Sequence, residues 1–269
     1  MRSFRTAARG HATDVTVDTE PETTVRIAAA GDLHCRESRR HEVAAAFARV
    51  QEEADAILLA GDLTTHGQPE QAEILAAACR PLQVPVITVL GNHDWHCDRA
   101  EEVAAVLEAA GITVLERSST VLDLGDTEVG VVGAKGFVGG FPGSHLPDFG
   151  EPLLRRMYAE TSADVEALGR ELGEIAFCPV RIVLLHYAPI AATLEGERRD
   201  IWPFLGTDRL AAPILEHAPH LVLHGHAHAG SFDGTIGEVP VYNVSVPVMG
   251  RDFTRFALSG AGEATAALH

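Results

Sequence analysis

The sequence predicts an α/β fold, on two observations: short apolar runs alternate with longer stretches of helical spacing, and polar residues cluster directly after five of the runs. Residues 1–24, MRSFRTAARGHATDVTVDTEPETT, are polar and short of large apolar side chains, and are expected to be a flexible leader. Residues 25–269 are expected to form a single domain, which opens on the strand VRIAAAGDLH. RRHEVAAAFARVQEEA carries apolar residues at helical spacing and leads into the strand DAILLAGDL; QPEQAEILAAACRPL then precedes the strand VPVITVLGNHD. RAEEVAAVLEAAG is a further helix, with its final Gly as a stop. This alternation points to βαβ units with largely parallel pairing.

The middle of the chain reads differently. TVLDLGDTEVGVVGAKG suggests two strands joined by a Gly-Asp turn, and FVGGFPGSHLPDFGEP is dense in Gly and Pro and reads as a long irregular excursion. A helix is predicted from Ser162 to Phe177, then the strand VRIVLLHY, a second excursion through APIAATLEGERRDIWPFLG, and a short helix in TDRLAAPILEHA. HLVLHGHAHAG follows, and VPVYNVSVP and FTRFALSG close the chain as strands.

A formal charge of −17 argues against a nucleic-acid partner, whose phosphates require clustered Lys and Arg. Cys35, Cys79, Cys97 and Cys178 make no C-x-x-C pair, the first residues lack the apolar core of a secretory signal, and no run reaches the length of a membrane span. A cytoplasmic protein with no membrane partner is therefore expected. Composition leaves homo-oligomerisation open.

Chemistry gathers at the ends of the apolar runs. They deliver Asp32 and His34, then Asp62, then Asn92, His93 and Asp94, then His186, and finally His224, His226 and His228. Ligands of open α/β sheets bind at the carboxyl ends of the strands. Imidazole, carboxylate and amide donors without thiolate suit Mn, Fe, Zn or Co, and so many donors exceed the needs of one tetrahedral zinc. Two ions sharing a bridging carboxylate would use them.

The order D-x-H, G-D-x, G-N-H-D, H, G-H-x-H resembles the calcineurin-like metallophosphoesterases, and within them the bacterial cyclic-nucleotide and glycerophosphodiester phosphodiesterase branch. The resemblance runs from about Arg26 to Gly230. It implies a four-layer αββα sandwich of two mixed sheets flanked by helices. It also implies two metal ions per chain, with Asp32, His34 and His228 on the first, Asp62 bridging, and Asn92, His186 and His226 on the second. Such a centre hydrolyses a small phosphodiester, or a monoester, by attack of a metal-bridged hydroxide. His93 is expected to protonate the leaving alkoxide as general acid, with Asp94 orienting its imidazole.

Around this centre, Trp95 and His96 are candidates for a pocket wall and His224 for outer support of a ligand. In the two excursions, near residues 136–160 and 190–205, Lys135, Phe137, Arg198, Arg199 and Trp202 are candidates to overhang the metal edge, where Lys135, Arg198 or Arg199 would hold an anionic group of the substrate. The alternatives are a metal-dependent nuclease, disfavoured by the acidic balance, and a non-catalytic scaffold of the same fold, disfavoured by the intact donor set.

Overall fold

Strands that are apolar at every position need cover on both faces, and that requirement sets the architecture. The computed structural model describes residues 24–259 and 264–267. Apart from Thr24, the leader expected at 1–24 lies outside the described residues. In chain order the strands are β1 (Thr24–Ala30), β2 (Ala56–Ala60), β3 (Val86–Val89), β4 (Thr113–Val114), β5 (Ser118–Leu124), β6 (Thr127–Ala134), β7 (Val180–Leu185), β8 (Leu221–His224), β9 (Asp233–Ile236), β10 (Val239–Asn243), β11 (Thr254–Ser259) and β12 (Ala264–Ala267). The helices are α1 (Arg40–Val50), α2 (Pro69–Cys79), α3 (Ala100–Glu108), α4 (Pro152–Glu174), α5 (Ala211–His217) and α6 (Val246–Met249).

These strands form two six-stranded mixed sheets, β12-β11-β1-β2-β3-β4 and β5-β6-β7-β8-β10-β9. In the first, β1 to β4 are parallel and β11 and β12 add antiparallel partners beside β1. In the second, β6, β7, β8 and β10 are parallel, with β5 and β9 antiparallel at the edges. The mixed sheets follow the family expectation; parallel pairing is confined to the centre of the second sheet and runs out to the β4 edge of the first.

Alternation within each strand builds the layers. Ile27 and Ala29 of β1, Leu58 of β2 and Ile87 of β3 face Val131 of β6, Ile182 of β7 and Leu223 of β8 across the space between the sheets. Their neighbours Ala28, Ile57 and Leu59 turn outward against Phe47 of α1, Leu75 of α2 and Val103 of α3. Val183 and Leu185 of β7 likewise pack on Leu168 and Leu172 of α4 and Ile214 of α5. The result is helix, sheet, sheet, helix.

Some elements differ from the sequence reading: β4 and β9 have no counterpart in it, and α6 begins within VPVYNVSVP, where Pro247 sits in the first helical turn. α4 begins at Pro152, ten residues before the predicted start at Ser162. Pro152 occupies the first helical turn, where its missing N–H costs nothing, and Gly and Pro just ahead of it mask the helical spacing of Leu154, Met157, Tyr158 and Thr161. No helix among the described residues is long and apolar enough to cross a membrane.

Leu58 is fully buried between the sheets. Leu58→Ala is expected to lower unfolding free energy by about 2–5 kcal/mol, read from denaturant titration, because the surrounding strands cannot collapse onto the lost volume.

Candidate metal centre

The carboxyl ends of β1, β2, β3, β7 and β8 open onto one edge, where the chain turns sharply. Asp32, His34, Asp62 and His226 all adopt left-handed backbone, with φ of 59°, 44°, 50° and 71°. Each such residue costs roughly 1–2 kcal/mol, so neighbouring structure must hold it. Here the turns hold one another. The Asp32 N–H donates to the Gly61 carbonyl at 2.9 Å, the His34 N–H to the Asp62 carbonyl at 3.0 Å, and the Gly225 N–H to the His186 carbonyl at 3.1 Å. Glycine is required where turn and ligand meet: a Cβ on Gly91 would lie 2.2 Å from the amide nitrogen and Oδ1 of Asp62, and one on Gly225 would lie 2.4 Å from Oδ2 of Asp32.

Two donor groups result. Asp32, His34, Asp62 and His228 each present an atom within 4.8 Å of the others, and so do Asp62, His186 and His226. Asp62 belongs to both. Oδ1 of Asn92 lies 2.9 Å from Nε2 of His186, which brings the amide to the second group.

Backbone carbonyls fix which imidazole nitrogen faces this space. Nδ1 of His34 donates to the Thr64 carbonyl at 3.3 Å, Nδ1 of His186 to the Ala60 carbonyl at 2.8 Å, and Nε2 of His226 to the Phe204 carbonyl at 3.1 Å. A carbonyl can only accept, so in the neutral ring the opposite nitrogen carries a lone pair. Burial favours that neutral form, pushing the pKa of His34 down to about 4 and that of His226 down to about 3. Burial also pushes Asp62 up to about 6. For Asp32 burial is again the largest effect and acts upward, but the hydrogen bond from Nε2 of His228 at 2.7 Å, the nearby His186 and His228 and the His226 N–H together outweigh it, and its carboxyl stays below the ordinary range.

His93 stands beside these groups. Its backbone N–H donates to Oδ1 of Asp62 at 2.8 Å, Nδ1 donates to the Thr65 carbonyl at 2.8 Å, and Nε2 lies 3.9 Å from Oδ2 of Asp62. The expectation that Asp94 orients His93 is corrected, since Thr65 does so. Asp94 is fully buried and accepts from the Leu63, Thr64 and Gly91 N–H groups and the Thr64 hydroxyl, at 3.2, 2.8, 2.8 and 2.7 Å. It joins the turn after β2 to the turn after β3. A carboxylate accepting several backbone N–H bonds is satisfied in place, and its neighbour in sequence points elsewhere.

The remaining candidates divide. The His96 ring lies 4.2 Å from that of His93, and Trp95 is exposed. His224 is buried between the Gly225 carbonyl and the Thr193 hydroxyl, so its support of the centre runs through the turn that carries His226. Lys135 does not overhang the edge: its amine bonds the Gly136 carbonyl and lies over the Phe137 and Tyr187 rings, and burial lowers its pKa. Arg198 and Arg199 are exposed on their loop, paired with Asp200 and Glu195, and Arg199 stacks on Trp202 at 3.8 Å. Sequence reasoning missed Tyr187, whose ring sits 4.4 Å from that of His226, although its place after His186 marks it. It also missed the carbonyls of Ala60, Thr64, Thr65 and Phe204, which no side-chain pattern announces.

A four-layer sandwich with this shared-carboxylate edge defines a metallophosphoesterase fold. The calcineurin-like phosphoesterase family model matches residues 25–230, and the chain belongs to that family. Among solved structures, TT1561 of Thermus thermophilus shares 20% identity at a TM-score of 0.58, over 91% of this chain and 99% of that one. Phosphopantetheinyl hydrolase from Mycobacterium tuberculosis shares 16% at a TM-score of 0.56, over 82% of this chain and 89% of its own. GAP50 of Plasmodium, titled as the anchor in the inner membrane complex, shares 13% at a TM-score of 0.54, over 88% of this chain and 81% of its own. These likenesses establish the fold. No curated protein matches the chain significantly in sequence.

Because the folded-state pKa of Asp62 is raised from 3.8 to about 6, metal-free protein is most stable with this carboxyl protonated and loses that contribution as pH rises through about 6. Asp62→Asn removes the charge, and Asn tolerates left-handed backbone. In chelator the variant is expected to melt above the parent at pH 8, by a difference on the order of 2 kcal/mol, with the gain shrinking towards pH 5. Calorimetry at the two pH values reads it.

Proposed function

We propose that the chain is a dinuclear-metal-dependent phosphoesterase acting on small phosphodiesters. The observation that carries this reading is the pair of donor groups joined at Asp62. Asp32, His34 and His228 would hold one cation, Asn92, His186 and His226 would hold the other, and Asp62 would serve both. Two divalent cations there would supply positive charge against the phosphoryl oxygens and activate water as the nucleophile near neutral pH.

The chain's own groups supply the rest. The Thr65 carbonyl keeps Nδ1 of His93 protonated, so Nε2 is the atom that gains and loses a proton. In the charged ring Nε2–H donates, and it can pass its proton to the departing alkoxide. The His93 N–H bonded to Asp62 ties the general acid to the bridging carboxylate, so acid and nucleophile are positioned by one residue. The net charge of −17 and the acid-paired arginines of the second excursion support a small substrate over a nucleic acid. The exposed free thiol of Cys97 suits a reducing, cytoplasmic setting.

Two experiments test the reading. Exhaustive chelation is expected to abolish hydrolysis of an aryl phosphodiester, and Mn, Fe, Zn or Co to restore it; activity that survives complete removal of metal would refute the mechanism. His93→Ala is expected to lower turnover about 10²–10⁴-fold on a diester with an alkyl leaving group and far less on one with a nitrophenyl group, at unchanged metal content. Equal rates for variant and parent on the alkyl ester would contradict the assigned role.

A further inference from the structure

One face of α4 is open at its N-terminal end and closes at Thr161, which is buried. Leu154, Met157, Tyr158 and Thr161 follow helical spacing along it, and with Val138, Leu146 and Phe204 they line a cavity of about 260 Å³. Arg209 is the one charged side chain among the lining residues. It is already engaged, lying over the Tyr158 ring at 4.2 Å and donating to the Ser162 hydroxyl at 2.7 Å. Around the mouth Phe149, Phe204 and Leu154 are 74%, 53% and 45% exposed. Apolar side chains grouped this way at a concavity mark a binding surface.

The cavity is joined to the metal centre through the backbone. Phe204 lines it with its ring, while its carbonyl accepts from Nε2 of His226 at 3.1 Å. The opposite wall is tied to the same segment: the Gly139 N–H donates to the Pro203 carbonyl at 3.1 Å and the Gly140 N–H to the Gly206 carbonyl at 2.8 Å. The Thr161 hydroxyl donates to the Val138 carbonyl at 2.6 Å and fixes α4 to that wall. Both Gly- and Pro-rich excursions thus meet here, on the flank of the second donor group.

We infer that this cavity receives an uncharged, apolar arm of the phosphoester, so that the chain selects diesters in which one alcohol is an alkyl chain or apolar ring. The inference rests on the phosphoesterase reading and names the substrate class of that site. Among the residues that line the cavity, a second phosphate or carboxylate on this arm would meet one cation, Arg209, already held by Tyr158 and Ser162, and Arg198 and Arg199 are paired with acids. An alkyl group would cover the exposed rings and release water from them.

The test has two readouts. Protein reconstituted with Mn, Fe, Zn or Co is given methyl alkyl phosphates from dimethyl to methyl octyl, with product followed by phosphorus NMR. In the parent, kcat/KM is expected to rise roughly three- to fourfold per methylene over the first few carbons and then level. Leu154→Glu places a charge at the partly exposed rim and is expected to cut the hexyl-to-methyl ratio of kcat/KM at least about tenfold. A flat series in a parent that hydrolyses dimethyl phosphate overturns the inference and leaves the phosphoesterase reading standing. The second readout needs no turnover. In metal-free protein labelled at the methionine methyl groups, methyl octyl phosphate is expected to move the Met157 signal, assigned by Met157→Leu, and not that of Met249. No movement at millimolar ligand overturns the inference. Movement with protein concentration alone, accompanied by a doubled mass, overturns it in favour of a second copy as occupant. A Met157 shift with no hydrolysis of any ester under any of the four metals leaves the cavity's ligand class intact and sinks the phosphoesterase reading.

Discussion

Everything at the carboxyl edge depends on two buried carboxylates, Asp32 and Asp62, placed together without a Lys or Arg paired to them among the described residues. Their protein partners are imidazoles and backbone N–H groups. Buried charge unmatched by a cation is among the most costly arrangements a fold can contain. Burial depresses His34 and His226, which leaves neutral nitrogen lone pairs, and raises Asp62, so ionising that carboxyl carries a cost that nearby positive charge would offset. Positive ions would answer that electrostatic deficit, and the family to which the chain belongs typically binds divalent metals.

Backbone strain tells the same story at another level. Asp32, His34, Asp62 and His226 hold left-handed conformations that favour glycine, yet each carries a donor. Strain of this kind persists where the surroundings over-determine it, and here the surroundings are the other strained turns. Asp94 strengthens the arrangement by taking four hydrogen bonds from the turns after β2 and β3. The two sheets bury enough apolar side chain between and outside them to carry the strain. The edge is therefore preorganised before any ligand arrives.

How much of this was legible in the sequence follows from what kind of atom does the work. Strands buried on both faces leave continuous apolar runs, so β1, β2, β3, β7 and β8 and the donors at their ends could be read directly. Side chains that act as ligands announce themselves by type. Backbone carbonyls do not, and the orienting partner of His93 was accordingly assigned to Asp94, its neighbour in sequence, when the Thr65 carbonyl, 28 residues away, holds it. The start of α4 was hidden for another reason: Gly150 and Pro152 read as loop, although a proline in the first turn is compatible with a helix. Lys135 was placed by charge alone, and only its packing against Phe137 and Tyr187 shows that its amine is turned inward.

The carbonyl contacts also explain why one imidazole differs from the rest. His34, His186 and His226 are pinned through one nitrogen and present the other to the donor groups, where a cation would compete for the lone pair. His93 is pinned in the same manner and its Nε2 stands 3.9 Å from Asp62, as that of His34 does, but His93 belongs to neither donor group and its side chain is the more exposed, 31% against 21%. Its free nitrogen faces both the bridging carboxylate and open space for substrate. On the proposed reading, the same carbonyl pinning at four histidines leaves three lone-pair donors and one proton donor, and what separates them is membership of the donor groups, from which His93 is absent.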